Sequence, residues 1–254
     1  VPGCTAVDSE ISISLDIGQH LDFASTLESG QAFRWTREDG DGPWFRGIVF
    51  GNQVRLRQAP GGVECVSEPG GVLGPLIRDY LWLDDDLHEI YSVLESDDQV
   101  REGIDRFRGM RVLRQEPWEC LVSFICSANN NIARIHQLME RMSDEFGSPL
   151  QLNGQTRHTF PSPADLAEAG EGELRRLGLG FRAPYVDQAS RAVLQGRLDL
   201  PALVRMPYPE AKAALMEMKG IGPKIADCIA VFSLEKLEAF PIDVWIRRAL
   251  AEWY

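Results

Sequence analysis

The chain has 254 residues, 44% of them hydrophobic and 25% charged, with a formal net charge of −12, a composition that suits one or two globular domains. No stretch is long enough to span a membrane and no charged-then-apolar leader opens the chain, so an intracellular location is expected. Five cysteines (Cys4, Cys65, Cys120, Cys126, Cys228), odd in number and without Cys-x-x-Cys spacing, argue against a disulfide framework and against zinc or iron–sulfur ligation.

Charge is unevenly distributed. Residues 1–110 hold 9 Lys/Arg against 20 Asp/Glu, residues 111–210 hold 11 against 12, and residues 211–254 hold 6 against 6. The acid is therefore concentrated early, and a locally positive face further on remains compatible with the total. Lysine occurs only at 212, 219, 224 and 236. An acidic, lysine-poor, arginine-rich surface resembles that of proteins from salt-loving organisms, and a halophilic prokaryote is the expected source. The sequence begins at Val1 rather than a methionine, so both ends are expected to be trimmed.

In chain order, Ile11 to Ile17 alternates apolar and polar residues, the pattern of a half-buried strand. A short helix or turn is expected near Leu21 to Leu27. Short strands then follow at Gln31 to Trp35, Trp44 to Phe50, Val54 to Arg57 and Val63 to Val66, separated by the acidic turn Glu38 to Gly42, by Gly51-Asn52 and by Gly61-Gly62. They predict an antiparallel sheet, in which Ser29-Gly30-Gln31 could enter a site. From Leu73 the period becomes helical, with helices predicted at Leu76 to Leu83, Leu87 to Leu94 and Val100 to Phe107. Trp118 to Ser127 is almost wholly apolar and reads as a central helix, and Ile132 to Phe146 as an amphipathic one. Between them stand Asn129, Asn130 and Asn131. One can cap the second helix; the other two are left to read base edges or to fill a gap in a base stack. Residues 147–163 read as a polar loop. Pro163 to Glu168 and Glu171 to Leu177 are short helices, Phe181-Arg182 sits at an exposed-looking turn, and Tyr185 to Leu194 is helical.

The most informative stretch is Met218-Lys219-Gly220-Ile221-Gly222-Pro223-Lys224. It predicts a helical hairpin: Pro209 to Met218, a turn in which Gly220 and Gly222 take positive φ, and a second helix opened by Pro223. The new helix exposes its first N–H groups, which with the helix dipole make an anion site fit for a DNA phosphate. Lys224 and Cys228 share a face. Asp243, nineteen residues after Lys224, reads as the cap of a third helix. From spacing alone, a plain hairpin whose lysine touches solvent or phosphate remains equally open.

Five stretches, in order, resemble the 8-oxoguanine DNA glycosylase/AP lyase family of the helix-hairpin-helix glycosylase superfamily. They are Ser29 to Trp35, Glu119 to Arg134, Leu177 to Arg182, Gly220 to Cys228 and Pro241 to Val244. The resemblance implies an α+β fold: an N-terminal antiparallel sheet domain with trailing helices, 1–110, then a mostly α-helical helix-hairpin-helix glycosylase domain, 111–254, apparently truncated at the C-terminus. It implies removal of 8-oxoguanine opposite cytosine from double-stranded DNA and cleavage of the abasic strand by β-elimination, by a monomer without a cofactor. Lys224 would attack the deoxyribose C1′ and form a Schiff base, chemistry that needs a neutral amine. Asp243 would stabilise the charge developing on the sugar and assist proton transfer.

The same resemblance assigns base recognition to Gly30, whose carbonyl would accept from N7–H of 8-oxoguanine, and to Cys228 and Pro241. Asn129, Arg134 and Arg182 would contact the cytosine left behind, with Phe181 as the wedge. Gly220 and Gly222 would donate to DNA phosphate, aided by a monovalent cation at the hairpin backbone, with no metal held by side chains. Trp245 stands where eukaryotic relatives commonly have histidine, which leaves its phosphate contact open. The family continues past the aspartate into helices that close the base pocket, so the expectation is a longer natural protein or an open pocket. The alternatives are a monofunctional alkylated-base glycosylase, which needs no hairpin lysine, and a non-catalytic DNA-binding hairpin module, which needs no Asp243. An iron–sulfur relative acting on adenine or pyrimidines would need a cysteine cluster after Asp243.

Overall fold

Alternation sets the N-terminal part. In a computed structural model describing residues 11–38, 42–67 and 73–254, β1 (Ile11–Asp16) half-buries Ile13 and Leu15 and exposes Ser12 and Ser14. Cys4 and residues 39–41 of the expected acidic turn lie outside the described residues. α1 (Phe23–Leu27) follows, capped by the Asp22 carboxylate, which accepts from Ser25 N. β2 (Thr36–Arg37), β3 (Phe45–Val49), β4 (Asn52–Ala59) and β5 (Gly62–Ser67) complete an antiparallel sheet in the order β1-β5-β4-β3-β2. Its register sets Phe45 opposite Leu56 and Leu56 opposite Cys65, all buried on one face.

That face is covered by α2 (Leu73–Tyr80), which buries Leu73, Ile77 and Tyr80. Next come α3 (Leu87–Leu94), capped by Asp86, and α4 (Asp98–Arg106), capped by Asp97. The segment Gln31 to Trp35 is not a strand. Its polar groups are drawn out of any ladder: Gln31 is buried and bonded to residues 26, 111, 113 and 115, and Arg34 reaches into the helical part.

α5 (Pro117–Ser127) is buried on nearly all sides, and α6 (Ile132–Phe146) packs Ile135, Leu138, Met139 and Met142 against it. The expected loop 147–163 instead contains a hairpin, β6 (Pro149–Leu152) and β7 (Gln155–His158). Its turn is Asn153-Gly154, at φ of 52° and 68°, the pairing that two-residue hairpins favour. α7 (Pro163–Arg176) is broken at Gly170, φ 70°, as the two short predicted helices required. α8 (Ala183–Leu194) follows, then α9 (Leu200–Arg205), a short helix not anticipated. α10 (Tyr208–Met216), α11 (Pro223–Ser233) and α12 (Val244–Trp253) close the chain.

Two apolar cores result, one under the sheet and one among the helices. They interlock, because Phe33 belongs to the helical core and Leu113 to the sheet core. Arg34, 3% exposed, adds a polar tie: its guanidinium pairs with Glu140 of α6 at 2.7 Å and donates to the carbonyl of His158 at 2.6 Å. Among the described residues no helix is long and apolar enough to cross a membrane.

Candidate active site

The turn between α10 and α11 is built as tightly as its glycines suggested, but the two glycines differ. Gly220 has φ of +90°, and a Cβ there would lie 2.5 Å from the Tyr185 ring. Gly222 is extended, φ −90° and ψ 178°, so the expected positive φ is confined to Gly220. Gly222 is instead the N-cap of α11, makes no side-chain cap, and has open space where a Cβ would point. The first-turn amides of α11 therefore stand uncapped beside a bare backbone, as an anion site requires.

Lys224 lies in that first turn. Its Nζ sits 5.7 Å from the centre of the Phe124 ring, and the Cys228 thiol lies one turn on along the same helix. Burial pushes the Cys228 thiol up from its ordinary value, an effect that the Lys224 charge opposes and that Asp227 and Asp243 reinforce. Asp243 caps α12: its Oδ1 accepts from Trp245 N and Ile246 N, both at 2.8 Å. Its Oδ2 accepts no hydrogen bond among the described residues. A single oxygen thus does the capping and leaves the other to a ligand.

These groups open onto one cleft of about 800 Å³, ample for a nucleobase and its sugar. Lys224, Cys228 and Phe232 of α11 line it with Phe124, the loop Ser29 to Gln31, and Pro241 and Asp243. Val100, Ile104 and Phe107 of the α4 region and Trp253 supply further apolar wall. Gly30, at φ +84°, would place a Cβ 2.7 Å from the end of the Ile132 side chain. Five sequence-predicted residues, Gly30, Lys224, Cys228, Pro241 and Asp243, therefore meet in one place.

Asn129, Arg134, Phe181 and Arg182 form a second group outside the cleft. Arg182 is not at an exposed turn. It is 9% exposed and donates to the carbonyls of Ala128 and Asn129, while Phe181, 49% exposed, lies 4.4 Å from its guanidinium. Arg182 thus braces the asparagine loop from behind. Asn131 caps α6 by accepting from Arg134 N. Asn130 is also accounted for locally, donating to Cys126 O and accepting from Asn131 N. Only the Asn129 amide, exposed at φ +50°, makes no hydrogen bond among the described residues. Arg134 donates to Gly178 O at 3.3 Å. Trp245 is 69% exposed, with the Arg248 guanidinium 5.1 Å from its ring.

The ion pairs sort the cations. Eight of the nine Lys/Arg of residues 1–110 sit in salt bridges: Arg34, Arg37, Arg46, Arg55, Arg57, Arg78, Arg101 and Arg108. In residues 211–254 only Lys212 does, bound to the buried Asp227 that also accepts from Tyr208. Lys219, Lys224, Lys236, Arg247 and Arg248 have no carboxylate partner among the described residues. By count residues 211–254 are neutral, 6 Lys/Arg against 6 Asp/Glu, but their cations mostly lack carboxylate partners among the described residues, whereas those of residues 1–110 are mostly paired.

Sequence reasoning missed three supports: Gln115, the Arg34 cluster, and the Lys212–Asp227–Tyr208 tie between α10 and α11. None has a local periodic signal. Burial beside Glu116 and Glu140 pushes Glu119 of the Arg34 cluster up to about 7, against the pull of Arg34 and Arg157. Among the described residues no group of three or more His, Cys, Asp or Glu is placed to hold a metal. Cys65, Cys120, Cys126 and Cys228 are buried free thiols.

Two family descriptions divide the chain: the 8-oxoguanine DNA glycosylase N-terminal domain matches residues 14–121, and the HhH-GPD superfamily of base excision DNA repair proteins matches residues 122–254. A probable N-glycosylase/DNA lyase of Methanothermobacter thermautotrophicus is 37% identical over 185 residues, 65% of this chain and 59% of that protein. An N-glycosylase/DNA lyase of Arabidopsis thaliana is 37% identical over 234 residues, 87% of this chain and 63% of that protein. The chain thus spans about six tenths of the length of these curated relatives. A Clostridium acetobutylicum 8-oxoguanine glycosylase/lyase, solved with double-stranded DNA containing cytosine opposite 8-oxoG, superposes with a TM-score of 0.87 at 30% identity, covering 93% of this chain and 81% of that one.

Proposed function

We propose that this chain, which belongs to the HhH-GPD superfamily of base excision DNA repair proteins and carries the N-terminal domain of the 8-oxoguanine DNA glycosylases, removes 8-oxoguanine from duplex DNA opposite cytosine and cleaves the abasic strand. The observation that carries this reading is the convergence of Lys224, Asp243, Gly30 and Cys228 on one cleft. In the proposed reaction Lys224 Nζ, as the free amine, bonds to C1′ while the N-glycosidic bond breaks and the base leaves with the bonding pair. The Asp243 carboxylate stabilises the positive charge on the sugar as this happens, its orientation fixed by the α12 cap. Ring opening gives a Schiff base, loss of the C2′ proton expels the 3′ phosphate, and hydrolysis returns the amine.

Gly30, with Cys228 and Pro241, reads the base in this proposal; Asn129, backed by Arg182 and flanked by Phe181 and Arg134, meets the opposite cytosine. The uncapped amides of α11, with Gly220 and Gly222, hold phosphate, and the Trp245 flank makes a further backbone contact. We infer in addition that the protein acts as a monomer inside a salt-adapted prokaryotic cell. The acidic, arginine-paired N-terminal region supports the salt adaptation, which stability that fails to rise in molar salt would refute.

Borohydride trapping tests the central reading. Wild type is expected to give a covalent adduct with an 8-oxoguanine:cytosine duplex and Lys224→Gln none. Absence of the wild-type adduct, or its survival in Lys224→Gln, would overturn the reading.

A further inference from the structure

Residues 111–115 run between two walls of the cleft and are bonded to both. Gln115, 9% exposed, acts in two directions. Its side-chain Nε2 donates to the carbonyl of Gln31 at 2.7 Å, next in the chain to Gly30. Its backbone N–H donates to the carbonyl of Phe232 at 2.9 Å, on the same helix as Lys224 and Cys228. Gln31 returns the grip: its Nε2 donates to Arg111 O at 2.9 Å and its Oε1 accepts from Leu113 N at 2.8 Å. The Gly30 loop, at a backbone conformation suited to glycine, is thus tied to segment 111–115 by the side chains of Gln31 and Gln115, and Gln115 is the residue that also carries the segment's bond to α11.

We propose that Gln115 is a positioning residue that fixes the separation of Gly30 from the Lys224–Cys228 face, and so governs base recognition rather than the lyase chemistry. The inference rests on the base-excision reading above. Gln115 does not line the cleft and touches no reacting atom. Removing its amide leaves the Gln31 carbonyl buried without this donor, while the backbone tie to Phe232 survives. The Gly30 loop then keeps only the Gln31 bonds to residues 111 and 113 and is held less closely to α11, while α11 keeps its own geometry.

The two activities separate the outcomes. In Gln115→Leu, single-turnover excision of 8-oxoguanine at saturating enzyme is expected to fall about tenfold or more, the scale of one lost buried hydrogen bond. Cleavage of a preformed abasic site opposite cytosine, which needs no base reading, is expected to stay within about twofold of wild type. Gln115→Glu, of the same size but without the amide donor, is expected to behave alike and serves if the leucine variant does not fold. Excision unchanged in these variants, or excision and abasic cleavage falling in parallel, would overturn the proposal. A wild type that cleaves abasic sites but excises no 8-oxoguanine would instead overturn the base-excision reading on which it rests.

Discussion

The two hairpin glycines should respond to alanine in opposite ways. At Gly220 the backbone has φ of +90°, and an added Cβ falls 2.5 and 2.6 Å from ring atoms of Tyr185. A left-handed alanine costs about 1–2 kcal/mol and forcing the ring aside about 1–3 kcal/mol more. For a chain of this size each kcal/mol moves the melting temperature by about 2–4 °C, so Gly220→Ala should melt roughly 5–15 °C below wild type. At Gly222 φ is −90° and no atom lies within 4 Å of the added Cβ. There the slight gain from a less flexible unfolded chain offsets the poorer N-cap, and stability should stay within about 1 kcal/mol.

Binding should show the reverse order of cause. The Gly222→Ala methyl would occupy open space at the N-terminus of α11, the side from which the proposed phosphate approaches. Loss of one charge-assisted hydrogen bond, about 1.5–3 kcal/mol, predicts duplex affinity about 10- to 100-fold weaker. Thermal melting and fluorescence anisotropy at one fixed salt concentration measure the two quantities side by side. Equal loss of stability in both variants, or wild-type DNA affinity in Gly222→Ala, would refute the reasoning.

Asp243→Asn retains a good capping side chain and should leave stability nearly unchanged, yet slow base excision by about two orders of magnitude through loss of the charge; Asp243→Ala should lose about 1 kcal/mol of stability as well. Equal melting temperatures for the two variants would contradict the capping role. Glu119 gives a pH signature. Its folded-state value of about 7 lies above the ordinary carboxylate range, so between the two the folded chain holds one proton more than the unfolded. Stability from this group is therefore greatest below that window, is lost as pH rises through it, and levels off above about 7. Glu119→Gln should gain on wild type by about 1–3 kcal/mol between pH 5 and pH 8, measured by urea unfolding. A gain that shrinks with pH would show that Arg34 and Arg157 dominate over burial, Glu116 and Glu140.

What the sequence disclosed follows the range over which each feature is set. The helix Ile132 to Phe146, the turn at Gly220 and the cap at Asp243 depend on neighbours within a turn or two, and all were readable. The Ser29 to Gln31 loop was recognisable from its resemblance, but its departure from a strand was not: the partners of Gln31 and Arg34 lie far along the chain. Arg182 misled for a related reason, since glycines before it signal a turn but say nothing about which side of the turn faces protein. The Asn153-Gly154 hairpin was readable from its turn dipeptide and was obscured by the polar residues around it. Asn130 looked available for a ligand because its bond to Cys126 O appears only once α5 ends where it does.

The sorting of ion pairs bears on how the protein meets its polymer. An arginine already neutralised by a carboxylate adds little pull on a distant polyanion, whereas an unpaired one acts over roughly a Debye length. Residues 1–110 hold 20 Asp/Glu against 9 Lys/Arg, eight of them in salt bridges. Residues 211–254 are neutral by count and five of their six cations have no carboxylate partner among the described residues, so on the proposed reading a duplex is repelled by the first region and met at the hairpin end. On that reading, collisions made back to front would be shed, and a duplex that stays would meet the cleft side. The acidity that sits at odds with the proposed DNA chemistry would then work as a rudder, shortening the search for orientation before any search for damage begins.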